Sequence, residues 1–448
     1  MAHALALNFG ATTISLSTSN NLLMDYVPRT PGATDLTVTE SATVHITAAS
    51  KTALQTALRA IEDFFVVCRR RQISGTGNRG YVQYSVDGDG TTWRSEVLDG
   101  RLVLDDDAMR HWGNVGAEVL LTWTRRFFWE YDLTAIGLKR TGVSKTTSGV
   151  TVYNHHDSTT HETFVDLEGA DIVGSLPSPL KISLKATAAL GTYRFYLSAN
   201  TFYTPASWQA VYEGESQTST ELTHPAATVN ANSSGGYYQR CSWTTSVSHT
   251  DNAFIWAISA TQLGYAAGGW FRVLMRLASD PPANCYVKVK VKFDSTTPLT
   301  TLWEGPEILL RSSQELQDLG AVQLPPGYVT GSPTALALVL SIRYTGTSQL
   351  DVDYIQLVGP DGVHRFDQQG YLLSINDFVV DDGPNESVYI QTSGGYTQHI
   401  VRDYPPPLMV WPGRDTRIRL MFDDTDGNSV IGNNFIVYAW YRPRRVTV

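Results

Sequence analysis

The chain has 448 residues, 42% of them apolar and 17% charged, with a formal net charge of −9. That is too apolar for a disordered chain and too long for one core, and roughly 150 residues per domain suggests about three domains. The acidic balance excludes a general nucleic-acid binder, the longest apolar runs are too short to cross a bilayer, and three scattered cysteines cannot frame a disulfide scaffold or a zinc site.

Residues 1–49 hold short alternating stretches such as Thr43-Val-His-Ile-Thr, broken by turn chemistry at Pro28 and Pro31-Gly. From Ser50 to about Arg71 the period changes. Leu54, Leu58, Ile61, Phe65 and Cys68 recur every three or four residues, widened by Ala57 and Phe64, which predicts one amphipathic helix. Ser50 is placed to cap its start, and Arg69, Arg70 and Arg71 meet the negative end of its dipole. The stripe needs a sheet to cover it. Tyr81-Val-Gln-Tyr-Ser-Val, Trp93-Arg-Ser-Glu-Val-Leu and the stretch to Trp129 supply one, with Ala117, Val119, Leu121 and Trp123 on one face.

From Thr141 to Ser148 the chain turns small and polar, a boundary. Val150-Thr-Val-Tyr, Leu180-Lys-Ile-Ser-Leu-Lys and Tyr193-Arg-Phe-Tyr-Leu then restart the two-residue rhythm. A further block, about 206–360, opens near Trp208 with Val211-Tyr-Glu-Gly-Glu and closes with Leu350-Asp-Val-Asp-Tyr-Ile-Gln-Leu-Val. Inside it Lys288, Lys290 and Lys292 alternate with Val287, Val289, Val291 and Phe293, so the lysines point one way and the apolar set the other. After Gly359-Pro-Asp-Gly the alternation resumes at Val388-Tyr-Ile-Gln, Arg417-Ile-Arg-Leu-Met-Phe and Phe435 onward. Neither flanking segment has enough strands to close a sandwich. The expected fold is therefore mainly β: a helix-braced N-terminal β-sandwich (1–145, helix 50–71), a discontinuous second β-sandwich (146–205 with 361–448), and a jelly-roll (206–360) inserted into the second.

Most motifs that suggest chemistry have a plainer structural account. Gly75-Thr-Gly-Asn-Arg-Gly80 fits G-x-G-x-x-G, but a phosphate site needs a strand before it and a helix after, and here that order is reversed. His155 and His156 fall on opposite faces of any strand, so with Asp157, His161 and Glu162 they read as a polar loop. Val86-Asp-Gly-Asp-Gly and Asp423-Asp-Thr-Asp-Gly-Asn lack the glutamate that completes an EF-hand and read as hairpin turns. Glu304 and Glu307 are paired carboxylates of the kind that cleave glycosides, with nothing around them that suggests a raised pKa or a substrate cleft. No nucleophile signature is present, so an enzyme is not expected. Cys68 reads as a small core residue, and whether Cys241 and Cys285 pair is open, a reducing cytosol weighing against it. No secretory signal pattern appears at the N-terminus, which leads us to expect a soluble product made in the cytoplasm.

Two resemblances add to this reading. The block 206–360 resembles the jelly-roll of carbohydrate-binding modules, with its Glu-x-Glu opening strand and Leu-x-x-Asp-aromatic-Ile closing strand. Carried over, this implies a structural Ca²⁺ held by Glu213, Glu215 and Asp353, and sugar stacking on exposed aromatics, for which Trp208 and Trp243 stand in polar, Gly-rich surroundings. The helix-braced N-terminus, Tyr153-Asn154, Pro179-Leu180-Lys181-Ile182, Pro412-Gly413-Arg414-Asp415-Thr416-Arg417-Ile418 and Tyr441-Arg442-Pro443-Arg444 together resemble the distal tail proteins of long-tailed bacteriophages. Asp415 stands where that family usually has Asn, and the large insert is the form that carries extra host-binding modules. The resemblance implies a structural protein of the virion's tail tip, a hexameric ring with the tail tube protein on one face and the tail hub protein on the other, and a host surface glycan as a further partner, with no nucleic acid and no membrane insertion. A glycan-binding adhesin and a tube-like tail subunit are the alternatives.

Overall fold

A computed structural model describes residues 3–18, 21–32, 34–75, 77–86, 91–104, 115–154, 162–189, 191, 193–202, 211–230, 233–244, 247–259, 270–293, 300–311, 316–324, 335–358, 363–367, 371–400, 406–424 and 434–448. The chain is mainly β, and Lys51–Ser74 is its one α-helix among the described residues. It divides into two compact units. The first comprises Met1–Thr134, Val173–Pro177 and Arg442–Val448; the second comprises Ala135–Ile172 and Ser178–Tyr441.

In the first unit the expected helix runs one turn further than its stripe, from Lys51 to Ser74. The Ser50 side chain accepts the Ala53 N–H, and Gly75, at φ 68°, closes the end in the left-handed conformation that glycine adopts without strain. Leu54, Leu58, Ile61, Phe64, Phe65 and Cys68 are its buried face. They cover a nine-stranded antiparallel sheet whose main path runs Thr12–Ser15, Ala4–Phe9, Gly80–Ser85, Thr92–Leu104, Gly116–Arg126, Thr37–Thr47 and Asn21–Asp25. The helix lies close on this sheet. A methyl group at Gly80 would stand 2.2 Å from Cys68 Sγ, and one at Gly100 would stand 2.3 Å from the Phe65 ring, so both positions need glycine.

The last residues of the chain complete this unit, which corrects the assignment of 361–448 wholly to the second sandwich. Arg444–Arg445 forms a short strand on Trp129–Glu130, Pro443 O accepts the Tyr131 N–H, and Arg444 O accepts the Ser175 N–H. Arg444 donates to Glu130 Oε1 at 2.6 Å while its guanidinium lies 4.1 Å from the Phe128 ring centre; Arg445 covers Trp93. The boundary expected at 145/146 also moves, because Leu138–Arg140 and Val143–Thr146 belong to a sheet of the second unit.

The second unit holds two pairs of sheets. In the first pair, strands from both sides of the insert alternate. Asp415–Asp424 lies between Phe164–Leu167 and Tyr193–Phe202, and Asn434–Tyr441 lies between Val150–Tyr153 and Ser178–Ala186. One core between the sheets includes Ile182, Leu184, Phe195, Leu197, Phe422, Phe435 and Val437. The other pair is built from strands between Val211 and Val358. Its six-stranded sheet is centred on Ser348–Val358 and its five-stranded sheet on Ala335–Tyr344 and Tyr286–Phe293, around a core that contains Cys241, Trp256, Cys285 and the inward valines 287, 289 and 291. Cys68, Cys241 and Cys285 are free, buried thiols, each pushed up to about 12 by burial.

The lysine row beside those valines is less open than strand alternation implies. Lys290 and Lys292 keep only 6% and 4% of their surface exposed, Lys290 reaching Glu304 and Lys292 reaching Asn252 Oδ1. Their stems are covered while the charged ends find acceptors.

Candidate functional site

The six-stranded sheet of the insert is covered on both faces. Along Trp270–Leu277 the residues Phe271, Val273, Met275 and Leu277 enter the insert's core, while Leu274 joins Tyr354, Val358, Val211 and Leu316 on the opposite face. That opposite face meets Tyr196 and Met421, which the host sandwich turns away from its own core. The result is an apolar seam between two sheets. Polar groups cross it: Tyr354 Oη donates to Met421 Sδ at 3.5 Å, and the Leu316 N–H donates to Asp423 Oδ2 at 3.3 Å. Arg276, fully buried, donates Nη1–H to the Asn154 carbonyl at 2.7 Å. Asn154 in turn clamps Phe422, donating Nδ2–H to its carbonyl and accepting its N–H at 3.0 Å. Arg419 is also buried on the host side. Burial, first, and its neighbour Arg417 push its guanidinium down to about 9.

At the edge of this seam the insert's opening and closing strands pair, with Val211 opposite Gln356 and Glu213 opposite Tyr354. This register brings Glu213 and Glu215 towards Asp353, 138 residues further along for Glu215. Asp353 is fully buried; its Oδ1 accepts the Ser234 N–H at 2.7 Å. Ser234 Oγ donates to Glu213 Oε1 at 2.8 Å, so one serine ties two carboxylates together. The remaining oxygens, Glu213 Oε2, Glu215 Oε2 and Asp353 Oδ2, are buried with no hydrogen-bond partner among the described residues. Burial raises all three carboxyls, Glu213 to about 7 and Asp353 well above the usual range, and repulsion from the neighbouring carboxylates adds to it at Glu213 and Asp353. Against that, the Arg276 guanidinium pulls the Asp353 carboxyl down.

Glu213 and Glu215 do not share one strand face as their spacing suggests. The strand stops at Glu213, and Gly214–Ser216 is a 3₁₀ turn. A side chain at Gly214 would place Cβ 2.1 Å from the Val352 carbonyl oxygen, so the glycine lets the turn press onto the closing strand. Asp351, two residues before Asp353, is engaged elsewhere by a bidentate bond from Arg240 and by Ser279. Ser234 and Arg276 are the members that sequence reasoning missed. The Ser233-Ser234-Gly235-Gly236 run, with Gly235 and Gly236 at positive φ, is the local signal for the first; nothing in the sequence marks the second.

Among the described residues no three His, Cys, Asp or Glu side chains stand at the spacing of a ready-made metal shell. The three carboxylates are therefore gathered charge and not a closed cage. Their three buried, unpartnered oxygens are of the donor type that Ca²⁺ takes, but they do not stand together as a shell for it.

The other candidates separate. Trp243 belongs to the insert's core, 5% exposed and packed on Tyr344 at 5.6 Å between ring centres, so it lacks the open face that sugar stacking needs. It does border an open cleft of about 760 Å³ with Glu221, Thr223, Ser242, Ser348 and Gln349. Among the described residues Trp270 is the tryptophan of the insert that stands out, 54% exposed. Trp208 lies outside the described residues, as do His155, His156, Asp157, His161 and the Asp-Gly steps at 87–90 and 425–427. Glu304 bridges Lys288 and Lys290, which hold its carboxyl below the ordinary value, the opposite of a general acid. Glu307 pairs with Arg343.

The fold and site define a mainly β protein whose second unit joins two sandwiches across a seam, with a buried carboxylate group at its edge. Comparison with protein-family models finds no match for the chain, and comparison with curated proteins finds none either.

Proposed function

We propose that this chain is a structural subunit of a long-tailed bacteriophage tail tip, of the distal tail type. In this reading the first unit oligomerises into a ring, six copies being the number that the resemblance brings. The tail tube protein and the tail hub protein take its two faces. The observation that supports it most is the meeting of the chain's two ends: the helix-braced sheet and the terminal Arg-Pro-Arg-Arg, the features that carry the resemblance, belong to one compact unit. Among the described residues the path of that sheet ends on Thr12–Ser15 and Asn21–Asp25, and Met24, Val27 and Leu36 near the latter are 56%, 77% and 75% exposed. An edge strand flanked by apolar side chains is a surface that a neighbouring subunit covers.

Within the insert, Glu213, Glu215 and Asp353 are proposed to hold a calcium ion that staples the opening strand to the closing one. A second reading, a glycan-binding adhesin, is favoured by the hydroxyl-lined cleft beside Trp243. Native mass spectrometry and electron cryo-microscopy of the purified chain test the first reading. Closed rings of about six copies are expected; a strictly monomeric species at high micromolar concentration overturns it. Glycan-array binding by the full chain without ring formation would carry the second.

A further inference from the structure

His364 and Asp381 form a buried pair inside the host sandwich that neither the ring reading nor the glycan reading uses. His364 stands directly opposite Leu197 and Asp381 directly opposite Ile182, and Leu197 and Ile182 both belong to the host core. Residues opposite each other in a register share a sheet face, so the two side chains meet between the sheets. They are 1% and 3% exposed. The imidazole Nδ1 is bonded to Asp381 Oδ2, and Nε2 lies 2.7 Å from the Pro406 carbonyl oxygen.

The second contact decides the chemistry. A carbonyl oxygen only accepts, so Nε2 carries a hydrogen. Nδ1 faces a carboxylate, which in its ionised form also only accepts. A neutral imidazole has one N–H and cannot serve both oxygens; an imidazolium can. The same contact separates the pair from the His–Asp part of a catalytic triad, since backbone fills the position that a nucleophile's hydroxyl would take on Nε2. Pro407 keeps the residue before it extended, which fixes the direction of the Pro406 carbonyl.

Other charges near the pair are turned away or engaged. Along the strand Val363–Asp367, Arg365 and Asp367 take the opposite face, where Arg365 stands opposite Tyr196 and Asp367 pairs with Arg194. On the strand Phe378–Asp382, Asp382 points outward to Lys181, and Tyr389 and His399 on the next two strands share that outer face. Asp377, before that strand, accepts the Ser374 and Ser393 N–H groups. This leaves Asp381 as the charge that faces His364 among the described residues.

We propose that His364 and Asp381 form a proton-held latch, fastening the strand by which the chain leaves the inserted sandwich to the opposite sheet of the host. Val363–Asp367 comes after the insert's closing strand, and among the described residues it pairs on one side only, with Tyr193–Phe202. A tie across the core is therefore its second hold. While the ring keeps both protons, it binds Asp381 and the Pro406 carbonyl together. Loss of one turns a lone pair towards one of the two oxygens, a buried repulsion that water cannot relieve. A free histidine gives up its proton near about pH 6.5, and two buried acceptors keep it on the folded ring beyond that point. The latch thus stabilises the second unit fully below about pH 6.5 and contributes less as the pH rises above it.

Nitrogen NMR of the full chain labelled with ¹⁵N-histidine tests the charge. At pH 8 one of the ten histidine rings is expected to show N–H on both nitrogens. That signal should vanish in His364→Gln, and fall to a single N–H in Asp381→Asn, which keeps an acceptor but removes the counter-charge. A wild-type spectrum with no doubly protonated ring at pH 8 overturns the latch, and so does a doubly protonated ring that survives either variant. Calorimetry reads the consequence. Between pH 6 and pH 8.5 the second unit of the wild type is expected to lose about 3 °C more in melting temperature than that of His364→Gln. Glu213 titrates in both chains and cancels in this comparison; an equal loss in the two overturns the proposal. Should His364→Gln not fold, Asp381→Asn serves in its place with the same expected difference.

Discussion

The two units each bury charge, and they do so in opposite ways. In the first, Arg125 and Glu40 form a fully buried ion pair at 2.6 Å, bonded on every side except at Arg125 Nε, which has no hydrogen-bond partner among the described residues. Glu40 also accepts from the Tyr26 hydroxyl and the Arg29 N–H, while Arg125 donates to the Arg29 and Arg126 carbonyls and lies 4.3 Å from the Trp129 ring centre. In the second, Glu213 and Asp353 share one serine with Glu215 beside them, and each of the three keeps an oxygen without a partner among the described residues. A satisfied buried pair specifies a fold and asks for nothing more; gathered, unsatisfied charge of one sign calls for a counter-ion or protons. That contrast separates an architectural network from gathered, unsatisfied charge.

The sharpest way to break the contrast is to damage the satisfied pair. Glu40→Gln leaves Arg125 buried with a lost counter-charge and is expected to cost about 3–5 kcal/mol, seen as a lower unfolding temperature of the first unit by calorimetry. Gly214→Ala attacks the other side. The added methyl collides with the Val352 carbonyl, so the turn must lift off the closing strand, at about 2–4 kcal/mol in the unfolding of the second unit by calorimetry.

Acidity tests the unsatisfied group directly. Glu213 has its pKa raised from 4.5 to about 7, so protons favour the folded state, fully below pH 4.5 and progressively less as pH rises through 7. In divalent-free buffer the second unit is expected to be more stable at pH 5.5 than at pH 8, by about 2 kcal/mol from this group, and calcium should narrow that difference. A pH-independent melting temperature across that window would contradict the assignment. Arg444→Ala, which removes the bond to Glu130 that ties down the chain's last strand, is expected to cost the first unit about 1–2 kcal/mol. The smallest effect is kept for Arg419. Its Nε and Nη1 find no hydrogen-bond partner among the described residues, so Arg419→Met is expected to be neutral or stabilising by about 1 kcal/mol in urea unfolding.

Local pattern accounts for much of what is seen. The helix was legible because Leu54, Leu58, Ile61, Phe65 and Cys68 repeat on one face and Ser50 caps its start; the closing Gly75 was not read as its end. The valines of Tyr286–Phe293 were legible by alternation, since side chains on a strand have only two directions to take. Lys290 and Lys292 escaped the same rule because what covers a strand's second face lies elsewhere in the sequence. Trp243 escaped because polar neighbours along the chain say little about what packs on a ring from other strands.

Alternation, capping and turn chemistry depend on neighbours within a few positions, so the sequence by itself determined the mainly β class and the place of the helix, while the Glu213, Glu215 and Asp353 candidates came from a resemblance. Which strands pair across hundreds of residues was decided only in three dimensions. Tertiary structure set Glu213 opposite Tyr354, returned Arg444 to Glu130, and carried Arg276 from a strand of the insert to the Asn154 carbonyl of the neighbouring sandwich. The physical reason is that burial of a charge is a property of the whole packed seam, and no stretch of chain carries that information alone.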